Sequence, residues 1–177
     1  MCITNNEELA EKMRILRDHG MSKHMRYWHE VIGFNYRMTN LQAAIGVAQL
    51  KKLDEFIEKK RQIAMWYAEE LKELEEKGLI RLHPEMTWAK CVYWMYSILI
   101  EDKAKVSRDE VMKMLEEKGI ETRPFFIPMH MLPMYKTKEK LPIAEELAKK
   151  GINLPSSVKM EKDGVEYVSS VVRNLNC

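Results

Sequence analysis

The sequence predicts an α/β fold, on three observations. Val92-Tyr93-Trp94-Met95-Tyr96-Ser97-Ile98-Leu99-Ile100 is dense in aromatic and branched residues, the composition of a pleated, half-buried strand. Capped helical patterns lie on both sides of it, between Asn5 and Gly78 and again from Ser107 onward. From Val92 the order runs strand, helix, strand, loop, helix, helix, which suits a small α/β domain and not a helical bundle.

Taken in order, Asn5 and Glu8 make a capping-box start, and Leu9, Met13 and Leu16 carry helical spacing to Gly20, a natural left-handed stop. Residues 21–38 show no sustained period and read as a long loop, which in a compact domain tends to be functional. Thr39 or Asn40 caps the next helix, marked by Leu41, Ala44, Ile45 and Ala48. An imperfect stripe of Leu53, Phe56, Ile57, Ile63, Met65, Trp66, Leu71 and Leu74 continues to Gly78. The run Glu58-Lys59-Lys60-Arg61 on it reads as a solvated face. Ser107 with Glu110 forms a second capping box, with Val111, Met114 and Leu115 on one face and Gly119 at the end. Ile120 to Arg123 reads as a short strand, because Pro124 disfavours helix at the residue before it. Pro124, Pro128 and Pro133 stiffen an aromatic, Met-rich loop. Helices around Ile143–Lys149 and Lys162–Asn174 follow, separated by an extended Ile152-Asn153-Leu154-Pro155.

The chain has 177 residues, enough for a real core, and its net charge of +2 is intermixed over both signs. That balance offers nothing to nucleic acid or an anionic membrane, and a helix-turn-helix reading lacks its basic stripe. Cys2, Cys91 and Cys177 are odd in number and far apart, which suits a reducing cytoplasm better than a disulfide framework or zinc site. No apolar run reaches the ~18 residues of a membrane span, and the N-terminus shows no signal-peptide pattern. A cytoplasmic, soluble protein is the expectation.

The organising stretch is Gly33-Phe34-Asn35-Tyr36-Arg37-Met38-Thr39-Asn40, an irregular segment that stops against a helix start. Alternation points Asn35 and Arg37 to one side and Phe34, Tyr36 and Met38 to the other. An amide and a guanidinium beside a helix N-terminus suit a phosphate or a carboxylate. The plainer alternative is a capped loop with a solvated Arg. His19, His24 and His29 recur every five residues, a spacing that does not align metal ligands on a helix face, and no metal site is expected. His130 shows no partnered carboxylate in sequence and reads as a hydrogen-bonded structural histidine. Trp94, Tyr96, Phe125 and Phe126 read as core.

The run G-F-N-Y-R-M-T-N-x-Q-A-A-I-G-x-x-Q-L, from Gly33 to Leu50, resembles a signature of the DegT/DnrJ/EryC1/StrS family. These are pyridoxal-phosphate-dependent aminotransferases acting on nucleotide-linked keto-sugars. Gly119-Ile120-Glu121-Thr122-Arg123-Pro124-Phe125-Phe126 and Gly151-Ile152-Asn153-Leu154-Pro155-Ser156-Ser157 resemble two later signatures in the right order. Tyr93 to Ser97, with the Arg-Pro-Phe-Phe and His130-x-x-Pro133 runs, is similar to the perosamine-synthase-like branch.

The resemblance implies the C-terminal small domain of a fold-type I aminotransferase plus the last strand and helices of its large domain. The large-domain remnant would be residues 1–50, a long connecting helix 51–78 and the small domain 79–177. It implies pyridoxal phosphate as cofactor, glutamate as amino donor and a nucleotide-linked 4-keto-6-deoxysugar as acceptor. Asn35 would reach across a homodimer interface to the cofactor phosphate of the other subunit, with Arg37 as a second anion contact. Arg123 and His130 would lie at the substrate entrance. In the family the cofactor lysine precedes a Gly-rich turn leading into a strand like Met1-Cys2-Ile3-Thr4, so the chain begins mid-pattern and no catalytic residue is assigned. Transamination by the chain alone is not expected. The alternative is an assembly module: the apolar helix faces near Leu9–Leu16 and Leu41–Ala48 would lack their sheet and pair with a complete subunit or a complementary half.

Overall fold

The computed structural model describes residues 2–174; Met1 and Cys177, both named above, lie outside them. The chain divides into two compact units, Met1–Lys52 and Leu53–Cys177.

In the first unit, α1 spans Glu7–Arg17. Its cap is Asn6, whose side chain accepts the Leu9 N–H, so the helix starts one residue later than the Asn5 box implies. Leaving the helix, His19 and Gly20 turn left-handed (φ 60° and 69°), and the Gly20 N–H returns to the Ile15 carbonyl at 2.9 Å. The long loop then doubles back on the helix end. Phe34 N–H donates to Leu16 O (2.7 Å), Tyr36 N–H to Arg17 O (3.0 Å), and His19 N–H to Phe34 O (2.9 Å). Two glycines make this possible: a Cβ at Gly33 would sit 2.1 Å from the Gly20 backbone nitrogen. Thr39 caps α2, Asn40–Leu50, with Gln42 reciprocating. The strand expected at the N-terminus is not formed over residues 2–4. A strand exists by pairing, and this unit has no strand among its described residues to pair with it.

The second unit opens with α3, Leu53–Glu76, which buries Ile63, Tyr67, Leu71 and Leu74 at spacings of four, four and three. Met65, assigned to the apolar stripe, faces outward. Four strands form one antiparallel sheet in the order β1-β2-β4-β3: Ile80–Arg81, Tyr96–Ile100, Gly151–Leu154 and Arg123–Pro124 for β1, β2, β4 and β3 respectively. In register, Tyr96 faces Leu154 and Ile98 faces Ile152, while Ser97, Asn153 and Arg123 line up across three strands. The predicted strand from Val92 is shortened to start at Tyr96. Tyr93 takes a left-handed φ of 45°, and the Lys60 ammonium holds the Trp94 carbonyl at 2.8 Å, so the chain cannot extend there.

Tyr96, Ile98, Ile100, Ile152 and Leu154 join α3, α4 (Arg108–Glu117) and α6 (Lys162–Arg173) in a single core. Tyr67 stacks on Tyr96 with ring centroids 4.7 Å apart. The Ser107–Glu110 capping box of α4 forms as its spacing predicts. Between β3 and β4 lie short 3-10 turns at Met129–Met131 and Pro133–Tyr135, then α5, Pro142–Lys150. Of the four aromatics read as core, Tyr96 is buried and Phe125 half-buried, whereas Trp94 and Phe126 are exposed. Trp94 lies outside the regular strand and Phe126 just beyond a two-residue edge strand, so strand alternation does not govern either.

Phe125 packs directly on Gly151: a Cβ there would lie 2.2 Å from the ring. Gly151→Ala should therefore expel the ring and destabilise the unit by about 1–3 kcal/mol, the usual cost of overpacking, as measured by urea denaturation. Unchanged stability would show that the ring relaxes freely.

Candidate functional site

The backbone of Phe34–Tyr36 is anchored on the last turn of α1 by the hydrogen bonds given above, and Asn35 forms an isolated bridge with Asp18. The Phe34 and Tyr36 rings stack at 5.3 Å, the same-side placement that alternation predicts for residues two apart. The Asn35 side chain is exposed and makes no hydrogen bond among the described residues, so it neither caps nor closes a turn. Arg37 donates from one terminal nitrogen to Asp18 Oδ1 at 3.3 Å, with both side chains exposed. That is a surface ion pair of small energetic weight, and it leaves most of the guanidinium donors free. His29 Nδ1 lies 2.9 Å from the His19 carbonyl, and among the described residues no group of three metal-binding side chains comes together. Two open hollows of this unit are lined by residues within 4–14 and by His19 with His29–Gly33; Asn35 and Arg37 line neither. The donors suit the phosphate end of a cofactor, and these residues do not enclose its ring.

In the second unit, Arg123 stands on β3 at the sheet edge, its side chain 76% exposed and 3.7 Å from Glu121. His130, on the first 3-10 turn, is almost covered, its side chain 11% exposed. Its Nε2 lies 3.0 Å from Glu145 Oε1. The carboxylate partner that sequence could not supply thus comes from α5. Glu145 also accepts the Leu141 N–H at 3.0 Å. The available signal was an acidic residue in the first turn behind a helix-opening Pro142. His130 follows β3, the strand of Arg123, by a few residues, and no hydrogen bond joins the two side chains.

The third motif resolves into structural tasks. Tyr67 Oη donates to the Pro155 carbonyl at 2.8 Å, and Ser156 Oγ accepts the Tyr96 N–H at 3.2 Å. Lys60 Nζ donates to the Ser156 carbonyl and hydroxyl and to the Trp94 carbonyl, with no carboxylate paired to it among the described residues, and burial pushes its pKa down. Of the run read as a solvated face, Glu58 is exposed, whereas Lys59, Lys60 and Arg61 are half-buried and engaged. Lys59 is 3.2 Å from Glu161, and Arg61 makes a two-point bridge to Glu85 at 2.6 and 3.1 Å. With Arg61 and then the Cys91 N–H donating to it, Glu85 is held at about 2.

This backbone is that of part of an aminotransferase. It superposes on the aminotransferase TlmJ from Streptoalloteichus hindustanus with a TM-score of 0.85 and 28% identity, over 97% of this chain and 46% of that one. The chain belongs to the DegT/DnrJ/EryC1/StrS aminotransferase family, whose sequence profile matches residues 1–173. It is 43% identical over 169 residues to the GDP-perosamine synthase of Escherichia coli O157:H7, covering 95% of this chain and 44% of that protein. It is 40% identical over 170 residues to the GDP-perosamine synthase of Caulobacter vibrioides, covering 95% of this chain and 45% of the relative. The chain thus spans about half the length of the curated relatives it matches. No helix among the described residues is long and apolar enough to cross a membrane.

The Leu141 N–H, and after it His130, hold the Glu145 carboxyl below its ordinary value of 4.5. A depressed carboxylate pKa stabilises the folded form above the ordinary value, and that contribution is lost as pH falls through the folded one. Hydrogen exchange of residues 125–141 should accordingly rise, after correction for intrinsic rates, as pH drops below 4.5. Glu145→Gln should flatten that acid limb; an acid limb that survives the substitution would exclude Glu145 as its source.

Proposed function

We propose that this chain is the C-terminal portion of a pyridoxal-phosphate-dependent aminotransferase that passes an amino group from glutamate to a nucleotide-linked 4-keto-6-deoxysugar, in the cytoplasm. The observation that carries the reading is the free amide of Asn35, held by a rigid backbone directly ahead of the Thr39 cap of α2. A neutral amide there donates to a phosphate oxygen without needing a counterion. Arg37 adds a charged donor to the same phosphate. The cofactor, when bound, supplies the electron sink for amino transfer. Arg123 pairs with an anionic group of the nucleotide-sugar, and His130, its Nε2 engaged by Glu145, offers its other ring nitrogen to a substrate oxygen. No residue of this chain is assigned as the cofactor lysine, and the phosphate reached by Asn35 and Arg37 is that of a cofactor seated on another polypeptide surface, in a homodimer or with a complementary N-terminal half. Support comes from the family membership and from the similarity to GDP-perosamine synthases.

The test is reconstitution. The purified chain with pyridoxal phosphate should fix no stoichiometric cofactor at a single lysine on borohydride reduction, beyond the labelling of its unfolded form. Supplied with the N-terminal part of the Escherichia coli O157:H7 relative, it should aminate a GDP-linked keto-sugar. Asn35→Ala should then weaken cofactor affinity about 10- to 100-fold, as loss of a hydrogen bond to a charged group does. Stoichiometric cofactor fixed to the chain alone, or affinity indifferent to Asn35, would overturn the reading.

A second reading, a non-catalytic assembly module pairing with a complete or complementary subunit, is favoured by α2. None of its residues is buried, and Leu41 and Leu50 are 72% and 69% exposed. Sedimentation should show self-association, with strong binding of an apolar dye. A well-behaved monomer without dye binding would remove it.

A further inference from the structure

The register of the sheet places Ser97, Asn153 and Arg123 in one row across β2, β4 and β3. Asn153, at the centre, is 7% exposed, a buried polar side chain on a strand buried throughout. Its amide is fully engaged. Ser97 Oγ donates to Asn153 Oδ1 at 2.7 Å, and Asn153 Nδ2 donates to the Arg123 carbonyl at 3.2 Å, with the Pro124 carbonyl at 3.5 Å. The orientation is forced, because two carbonyl oxygens can only accept. A flipped amide would set its own oxygen against both of them.

The segment so held is otherwise weakly tied. β3 is a two-residue edge strand, and Pro124 has no N–H to give to the ladder. Beyond the strand the next backbone bond to β4 is Phe125 N–H to Gly151 O at 3.1 Å. The Arg123 side chain itself is exposed, and its guanidinium lies 3.7 Å from Glu121. That exposed pair holds the guanidinium only weakly, so the region it can reach is set by where its backbone stands.

We infer that Asn153, oriented by Ser97, is a positioning residue for Arg123: it fixes the backbone from which that guanidinium reaches substrate. This rests on the substrate role proposed above for Arg123, and the two are tested separately. Asn153→Asp replaces the donor by a carboxylate facing two carbonyl oxygens. Ionised, it repels them; protonated, its O–H restores the donation. Exchange-rate-corrected amide exchange of residues 123–126 should be about tenfold faster than wild type at pH 7.5, the order expected for one lost hydrogen bond and a repulsive contact, and should return toward wild type at pH 4.5. Ser97→Ala should shift exchange in the same direction by a smaller factor, and it decides the matter if the aspartate variant does not fold. A role confined to filling space would give no such return at acid pH. Exchange at 123–126 unchanged in both variants, or accelerated without the acid recovery in a folded Asn153→Asp protein, would overturn the assignment.

In parallel, titration with guanosine diphosphate reads the role of Arg123. Arg123→Ala should lower affinity, and Asn153→Asp should do so at pH 7.5 and recover at low pH. If Arg123→Ala leaves affinity unchanged, or wild type does not bind the nucleotide, the substrate role of Arg123 fails while the exchange data still decide whether Asn153 holds its backbone.

Discussion

The second unit depends on β4, a strand of four residues in which every position is buried and both edges are paired. A strand so enclosed leaves no position free to vary with solvent, so each residue of Gly151-Ile152-Asn153-Leu154 has one physical task. Gly151 yields its Cβ volume to the Phe125 ring. Ile152 and Leu154 face the helices of the core. Asn153 faces the other way and must satisfy its amide inside the sheet, which it does by joining the strands on either side of it. The residues that follow continue the same logic: the carbonyls of Pro155 and Ser156 are claimed by Tyr67 and Lys60 of α3, so the helix is fastened to the end of the strand it packs against.

The first unit is governed by a different constraint, the close passage of two backbones at Gly20 and Gly33. With no side chain at either position, the returning loop lies against the end of α1 and takes its hydrogen bonds from carbonyls that the helix leaves unsatisfied. The segment carrying Asn35 is thereby rigid at its backbone while its polar side chains stay in solvent. Order at the main chain lowers the cost of a ligand contact, because the backbone entropy has already been lost on folding and only side-chain rotamers remain to be fixed.

Legibility in the sequence followed the range of each interaction. The Thr39 and Ser107 caps were readable because a cap is decided within four residues. The strand ending at Ile100 was readable from its composition, and its true start was not, since Tyr93's left-handed turn and the grip of Lys60 on Trp94 come from elsewhere in the chain. The same lysine reads as solvated in the sequence, because nothing near it there shows that three oxygens converge on it from positions 94 and 156. Glu145 was missed as the partner of His130 for this reason too: fifteen residues separate them, and the intervening prolines and 3-10 turns set their approach. Of the candidate site, residue identities came from the motifs, whereas which side chains are free and which are engaged came from the fold.

That last distinction separates polar side chains engaged within the chain from those left to solvent. Tyr67, Lys60, Ser97, Asn153 and Ser156 all have their polar atoms engaged within the chain. Asn35 has an amide with no partner among the described residues, and Arg37 and Arg123 each hold one carboxylate at a distance over 3 Å while remaining exposed. A buried donor without a partner destabilises its own fold, so selection for stability alone would pair it. Exposed donors escape that pressure, and their identity is then free to be set by what they contact outside the chain. Asn35, Arg37 and Arg123 are therefore positions whose identity the chain's own hydrogen bonding does not fix.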